Sequence, residues 1–204
     1  MKLYYTPGAC SLAVHIALRE AGIAVDLVKV DLASHRTAGG DDYFAINPRG
    51  YVPLLELDDG SRHTEVAALL QFIGEGAPAS GLVPPSGAPE RFEVHKWIAF
   101  VASELHKVFS PWLWHKETDD ATRRACKEKI AARFAELDSL LGTRDFLAGG
   151  RFSAADAYGF AIVSWAPMLG MPLAPYPQLA AWLERVGRRP AVHSALLAEG
   201  LAKA

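Results

Sequence analysis

The chain is short of cysteine, of net charge and of long apolar runs, and each shortage removes a class of function. Two cysteines, Cys10 and Cys126, in 204 residues do not build a disulfide scaffold and fit a reducing cytoplasm. A formal net charge of −2 supplies no basic field, so nucleic acid and anionic membrane are not expected partners and a small molecule or a protein is. No segment approaches the roughly 20 apolar residues of a membrane helix. Near Lys2, Pro7 and Gly8 interrupt the apolar stretch that an export signal would need. The phosphate-cradling G-x-x-x-x-G-K-[ST], the zinc-binding H-E-x-x-H and the nucleophile turn G-x-S-x-G are missing. The seven histidines form no metal-ligand grouping with the cysteines, so no metal is expected. Cys10-Ser11-Leu12-Ala13 lacks the second thiol of C-x-x-C, which excludes a self-contained dithiol cycle.

What is present is apolar pattern. Half the residues are hydrophobic, enough for a filled core without metal or disulfide. Lys2 to Tyr5 reads as a strand stopped by Thr6-Pro7-Gly8, a helix follows to Gly22, and Val25 to Leu32 is a second strand, parallel to the first. Residues 34–49 read as irregular and end in the loop-forming Asn47-Pro48-Arg49-Gly50. Val52 to Leu57 and Ser61 to Thr64 form a hairpin about Asp58-Asp59-Gly60, and Glu65 opens a helix with Val66, Leu69, Leu70 and Ile73 at helical spacing. The order is βαβ, loop, ββα over residues 1–77. A Gly/Pro/Ala/Ser-rich linker spans 78–88, and 89–204 reads as all-helical. There, Val94, Ile98, Val101, Leu105 and Val108 make one stripe, with His95, Ala99, Ala102, His106 and Phe109 beside it. Ile130, Phe134, Leu137 and Leu141 make another stripe, and Ser153 to Asp156 resembles a capping box.

Chemistry concentrates in four places. Cys10 follows the first strand at a helix start, where backbone N–H groups favour an anion; Cys126, in mid-helix, reads as inert. Val52-Pro53 suits a cis proline that turns the Val52 backbone toward a peptide ligand, and suits equally an edge-strand proline with no ligand. Glu65 and Val66 at a helix start can receive the ammonium and carboxylate of an amino-acid-like group, unless Glu65 merely stabilises its helix. His106, beside Lys107, can hydrogen-bond a thiol or carboxylate if the small residues near it leave room.

Taken together, Lys2 to Ser11, Asn47 to Pro53, Thr64-Glu65, Ser103 to Lys107 and Phe152 to Tyr158 resemble the bacterial beta-class glutathione S-transferases over essentially the whole length. The resemblance implies a thioredoxin-like glutathione domain, an all-α domain shaping an acceptor pocket, and a two-fold homodimer. It places Cys10 at the glutathione sulfur, Val52 against the peptide backbone and Glu65 with Val66 at the glutamyl end. Ser103, Glu104 and His106 would approach from the helical domain, with Tyr5, Phe109 and Trp165 on the acceptor side. His35 stands where the family often has Lys, Ala99 where it often has Asn, and Val66 where it often has Gly or Ser. The implied activity is conjugation of reduced glutathione, as co-substrate, to small electrophiles in detoxification, with no permanently bound cofactor. Two other expectations stay open: a monothiol disulfide oxidoreductase using Cys10, and a non-enzymatic glutathione-binding protein.

Overall fold

The computed structural model describes residues 1–203 in two compact units: residues 1–83 with 188–203, and Pro84–Gly187. In the first unit, β1 (Lys2–Tyr5), rich in β-favouring residues, pairs in parallel with β2 (Asp26–Asp31) in the register Lys2↔Asp26. The crossover between them is α1 (Ser11–Glu20), in which Ser11 to Leu18 are all buried. A helix buried on every side needs cover beyond one sheet face. The last helix provides it, as described below.

Residues 34–49 are more regular than expected. β3 (Arg36–Thr37) pairs antiparallel with β2, and α2 (Tyr43–Ile46) is capped by the Asp42 carboxylate, which accepts from Phe44 N. Two residues of strand and one turn of helix are too short to leave a periodic signal. β4 (Leu54–Glu56) runs antiparallel to β1, and β5 (Arg62–His63) antiparallel to β4, giving the order β3-β2-β1-β4-β5. α3 (Val66–Gly76) then packs on α1. This is the expected thioredoxin-like arrangement.

The second unit is all-α. α4 (Pro89–Phe100) continues without a break into a π-helical turn, Val101–His106, and then α5 (Lys107–Phe109). The main stripe from Val94 to Val108 is buried as expected. The neighbouring stripe does not form one face: Ala99 is exposed while Phe109 has no exposed surface. The π turn carries more residues per turn than an α-helix, so α spacing does not hold across it. α6 (Asp120–Leu141) buries Ile130, Phe134, Leu137 and Leu141. α7 (Ala154–Val163) is buried at all ten positions and packs against α4, the π turn and α8 (Pro177–Gly187). Its start is fixed by the expected capping box. The Asp156 Oδ2 accepts from Ser153 N and Ser153 Oγ, both at 2.9 Å, while Oδ1 accepts from Leu147 N and Trp182 Nε1. Four donors satisfy a carboxylate with no exposure, whose cost unpaired would be severe.

The expected boundary, with 89–204 in one helical domain, is corrected at the C-terminal end. α9 (Pro190–Ala198) belongs to the first unit and packs on α1. An ion pair and a buried hydrogen bond hold it there: Arg189 donates to both Glu20 oxygens at 2.6 and 2.8 Å, and the Glu199 carboxylate accepts from the buried His15. Pairings between residues so far apart in the chain leave no trace in a local pattern.

Candidate functional site

In the first unit the site is built around residues 47–53. Tyr51 O accepts from Tyr43 Oη at 2.9 Å and from Asn47 Nδ2 at 2.7 Å, which pins the turn, and the Val52–Pro53 peptide is cis. Gly50 is required there: its φ is +67°, and a Cβ would lie 2.7 Å from Phe44 and 2.8 Å from His35 Nδ1. His35, itself at φ 50°, packs against Phe44 with the rings tilted and their centroids 4.2 Å apart, and its buried Nδ1 has no partner among the described residues. The segment engages two expected site residues. At one end the Cys10 thiol donates to Val52 O at 3.2 Å. At the other, Arg49 Nη1 donates to Glu65 Oε1 at 2.8 Å.

Cys10 is the N-cap residue of α1 but makes no side-chain cap bond; its sulfur meets a carbonyl, a contact that only the protonated thiol makes as donor. Glu65, the N-cap residue of α3, likewise makes no side-chain cap bond. It occupies φ 69°, ψ 104°, uncommon for a residue with a side chain, and its carboxylate is exposed and paired with Arg49. Val66, at the first position of α3, is buried. Tyr5 is also buried, and burial, then the Glu199 carboxylate, raises its phenol pKa.

In the second unit, His106 Nδ1 lies 2.7 Å from Tyr158 Oη, and the ring packs edge-on against Trp165 at 5.3 Å. Burial, reinforced by the Lys107 charge, pushes its pKa from 6.5 down to about 4, so the imidazole is neutral near pH 7. With Nδ1 engaged, Nε2 is the nitrogen left for a ligand. Trp165 packs edge-on against Trp114 and Phe109, and Phe109 is a core support against Phe134 rather than a pocket wall. Ser103 Oγ donates back to Ala99 O, and the Glu104 carboxylate is held by Arg133 at 2.8 Å and Lys129 at 3.4 Å, which lowers its pKa. Sequence reasoning missed Arg49, Tyr158 and Trp114 as partners. Arg49 and Tyr158 lie inside the quoted motifs, but only the folded chain supplies the pairings.

Residues 8–75 match the glutathione S-transferase N-terminal domain and residues 100–190 the glutathione S-transferase C-terminal domain. Glutathione S-transferase GstA of Escherichia coli O157:H7 is 40% identical over 98% of this chain and 100% of its own. A sphingomonad glutathione S-transferase solved in complex with glutathione shares 45% identity at a TM-score of 0.93, covering 99% of this chain and 100% of that one. The beta-class enzyme of Sphingomonas chungbukensis shares 42% identity at a TM-score of 0.94, with the same coverage. The chain belongs to the glutathione S-transferase family. It is a glutathione transferase closely related to the bacterial beta class.

Proposed function

We propose that this transferase binds reduced glutathione along residues 47–53 and conjugates it to small hydrophobic electrophiles, a detoxifying reaction in the cytoplasm that uses no permanently bound cofactor. One observation carries the reading: a single short segment touches Cys10 through Val52 and Glu65 through Arg49. A tripeptide laid along it would pair with the Val52 backbone, place its glutamyl end at Glu65 and Val66, its glycyl end at His35, and its sulfur at Cys10. His106, neutral and oriented by Tyr158, is proposed to hydrogen-bond the glutathione sulfur through Nε2, with Ala99, Ser103 and Glu104 as further glutathione contacts. In the reaction the glutathione thiol loses its proton to solvent, its sulfur forms a bond to the electrophilic carbon, and the leaving group departs with its electron pair. Trp165, supported by Phe109, and Tyr5 line the acceptor side in this proposal.

Calorimetric titration with reduced glutathione and an aryl-halide conjugation assay test it. Binding with conjugation is expected. Disulfide reduction by glutathione in place of conjugation would favour Cys10 cycling through a mixed disulfide; binding with neither activity would favour a binding protein. Absence of binding would overturn all three.

A further inference from the structure

The last turn of the chain holds a buried carboxylate that the conjugation chemistry does not use. The Glu199 side chain has no exposure; its Oε2 accepts from Gly8 N at 2.9 Å and its Oε1 lies 2.9 Å from His15 Nδ1. His15 is equally buried, and Arg19 Nε donates to its Nε2 at 3.3 Å. A guanidinium only donates, so the ring lone pair is on Nε2, the proton is on Nδ1, and Nδ1–H donates to Glu199. Arg19, His15, Glu199 and the Gly8 amide thus form one chain of hydrogen bonds from a helix face to a single backbone N–H.

That N–H lies in the turn that ends in Cys10. Gly8 sits at φ +71°, and Ala9 N closes the turn on Thr6 O at 3.0 Å. Ser11 Oγ braces its other side against the Thr6 backbone, and Thr6 Oγ1 donates to Val30 O at 2.7 Å. Leu201 also covers the turn, with its methyls 3.7 Å from where a Gly8 Cβ would lie. If α9 needed only to be fastened to α1, the Arg189–Glu20 pair at its other end would do so without touching the turn. A buried carboxylate costs more to desolvate than an apolar residue in its place, and what this one uniquely reaches is the Gly8 amide.

We propose that Glu199 is a positioning residue for Cys10. By holding the Gly8 amide it fixes the turn whose far end sets the sulfur against Val52 O. The kinetic arm of its test rests on the proposed conjugation, and the thiol arm does not.

The test compares Glu199→Ala and Glu199→Gln with Glu20→Gln, which loosens the same helix away from the turn. Iodoacetamide is the probe, and mass mapping gives the alkylation rate of Cys10 relative to Cys126 in the same molecules. Glu199→Ala is expected to raise that ratio about fivefold as the sulfur leaves its carbonyl acceptor. It should also lower kcat for conjugation about tenfold, with KM for glutathione within about threefold, because a displaced reacting group costs rate more than binding. Glu199→Gln, which keeps one acceptor oxygen, should fall between and serves if the alanine variant does not fold. Glu20→Gln should leave the ratio unchanged. A wild-type ratio in the Glu199 variants, or an equal change in Glu20→Gln, would overturn the proposal while leaving conjugation intact. A changed ratio in an enzyme that conjugates nothing would uphold the positioning role and sink the proposed function instead.

Discussion

Glu65 combines a backbone conformation that costs energy with a side chain that makes no cap bond to its own helix, and that pairing supports the proposal that it serves a ligand. Its bond to Arg49 is exposed at both ends, so it contributes under about 1 kcal/mol to folding. Glu65→Gln is therefore expected to leave the denaturant midpoint nearly unchanged and to weaken glutathione binding by about 1.5–3 kcal/mol, the range for a hydrogen bond to a charged group. Equal affinities by calorimetry would return Glu65 to the role of a helix-start residue. His106 gives the second prediction at this scale. Its unfolded pKa is 6.5 and its folded value about 4, so at intermediate pH the unfolded chain binds the proton and the folded chain does not. The stability held by neutral His106 is complete above 6.5 and is lost as the pH falls toward 4, up to about 3 kcal/mol. An NMR titration of the ring with a midpoint near the ordinary imidazole value would refute the burial argument. The sequence made His106 visible through its place in a motif. It could not reveal that burial and Tyr158 would keep the ring neutral, because both depend on a helix more than fifty residues away.

The elements that were legible in sequence are those fixed by neighbours in the chain. β1 and its stop at Thr6-Pro7-Gly8, the hairpin after Pro53, and the Ser153–Asp156 capping box are local patterns with local causes. β3 and α2 were hidden by brevity, the π turn by a spacing that mimics an α stripe, and the place of α9 by contacts made across the whole chain. The loop 47–53 lies between these cases: its turn residues were legible, its grip on Cys10 and Glu65 was not. It yields a prediction for Gly50→Ala. A Cβ there meets Phe44 and His35 at under 3 Å in a left-handed conformation, so a cost of roughly 1–3 kcal/mol and weaker glutathione binding are expected together. Gly22→Ala is the control: the same φ of +67° with open space around it should cost about 1 kcal/mol and leave binding unchanged. Matching losses of binding in both variants would mean that the crowding at Gly50 has no bearing on the site.

At the scale of the whole molecule, large aromatic side chains remain uncovered on a single chain. Phe92 is 70% exposed on α4, whose Val94, Trp97 and Ile98 are buried, and Tyr51, within the candidate glutathione segment, is 69% exposed. Phe72 of α3, stacked on His63, is half exposed. A chain that leaves such residues open to water on two units gains by covering them, and an isologous contact lets each copy bring both patches to the other. We therefore propose a homodimer and expect a solution mass of twice 22.1 kDa by light scattering. Phe92→Asp and Tyr51→Asp should each shift the equilibrium toward monomer, because an unpaired carboxylate would be buried in the contact. Met168→Asp, at another exposed apolar position, should not. Glu104 adds a functional arm. Arg133 and Lys129 hold its carboxylate on the π turn, and we propose that it reaches glutathione across the subunit contact. If that is its role, glutathione affinity should fall with dilution through the dimer range in wild type, and this dependence should disappear in Glu104→Gln. A monomer at micromolar concentration that binds glutathione with undiminished affinity would dispose of both the dimer and the shared role of Glu104.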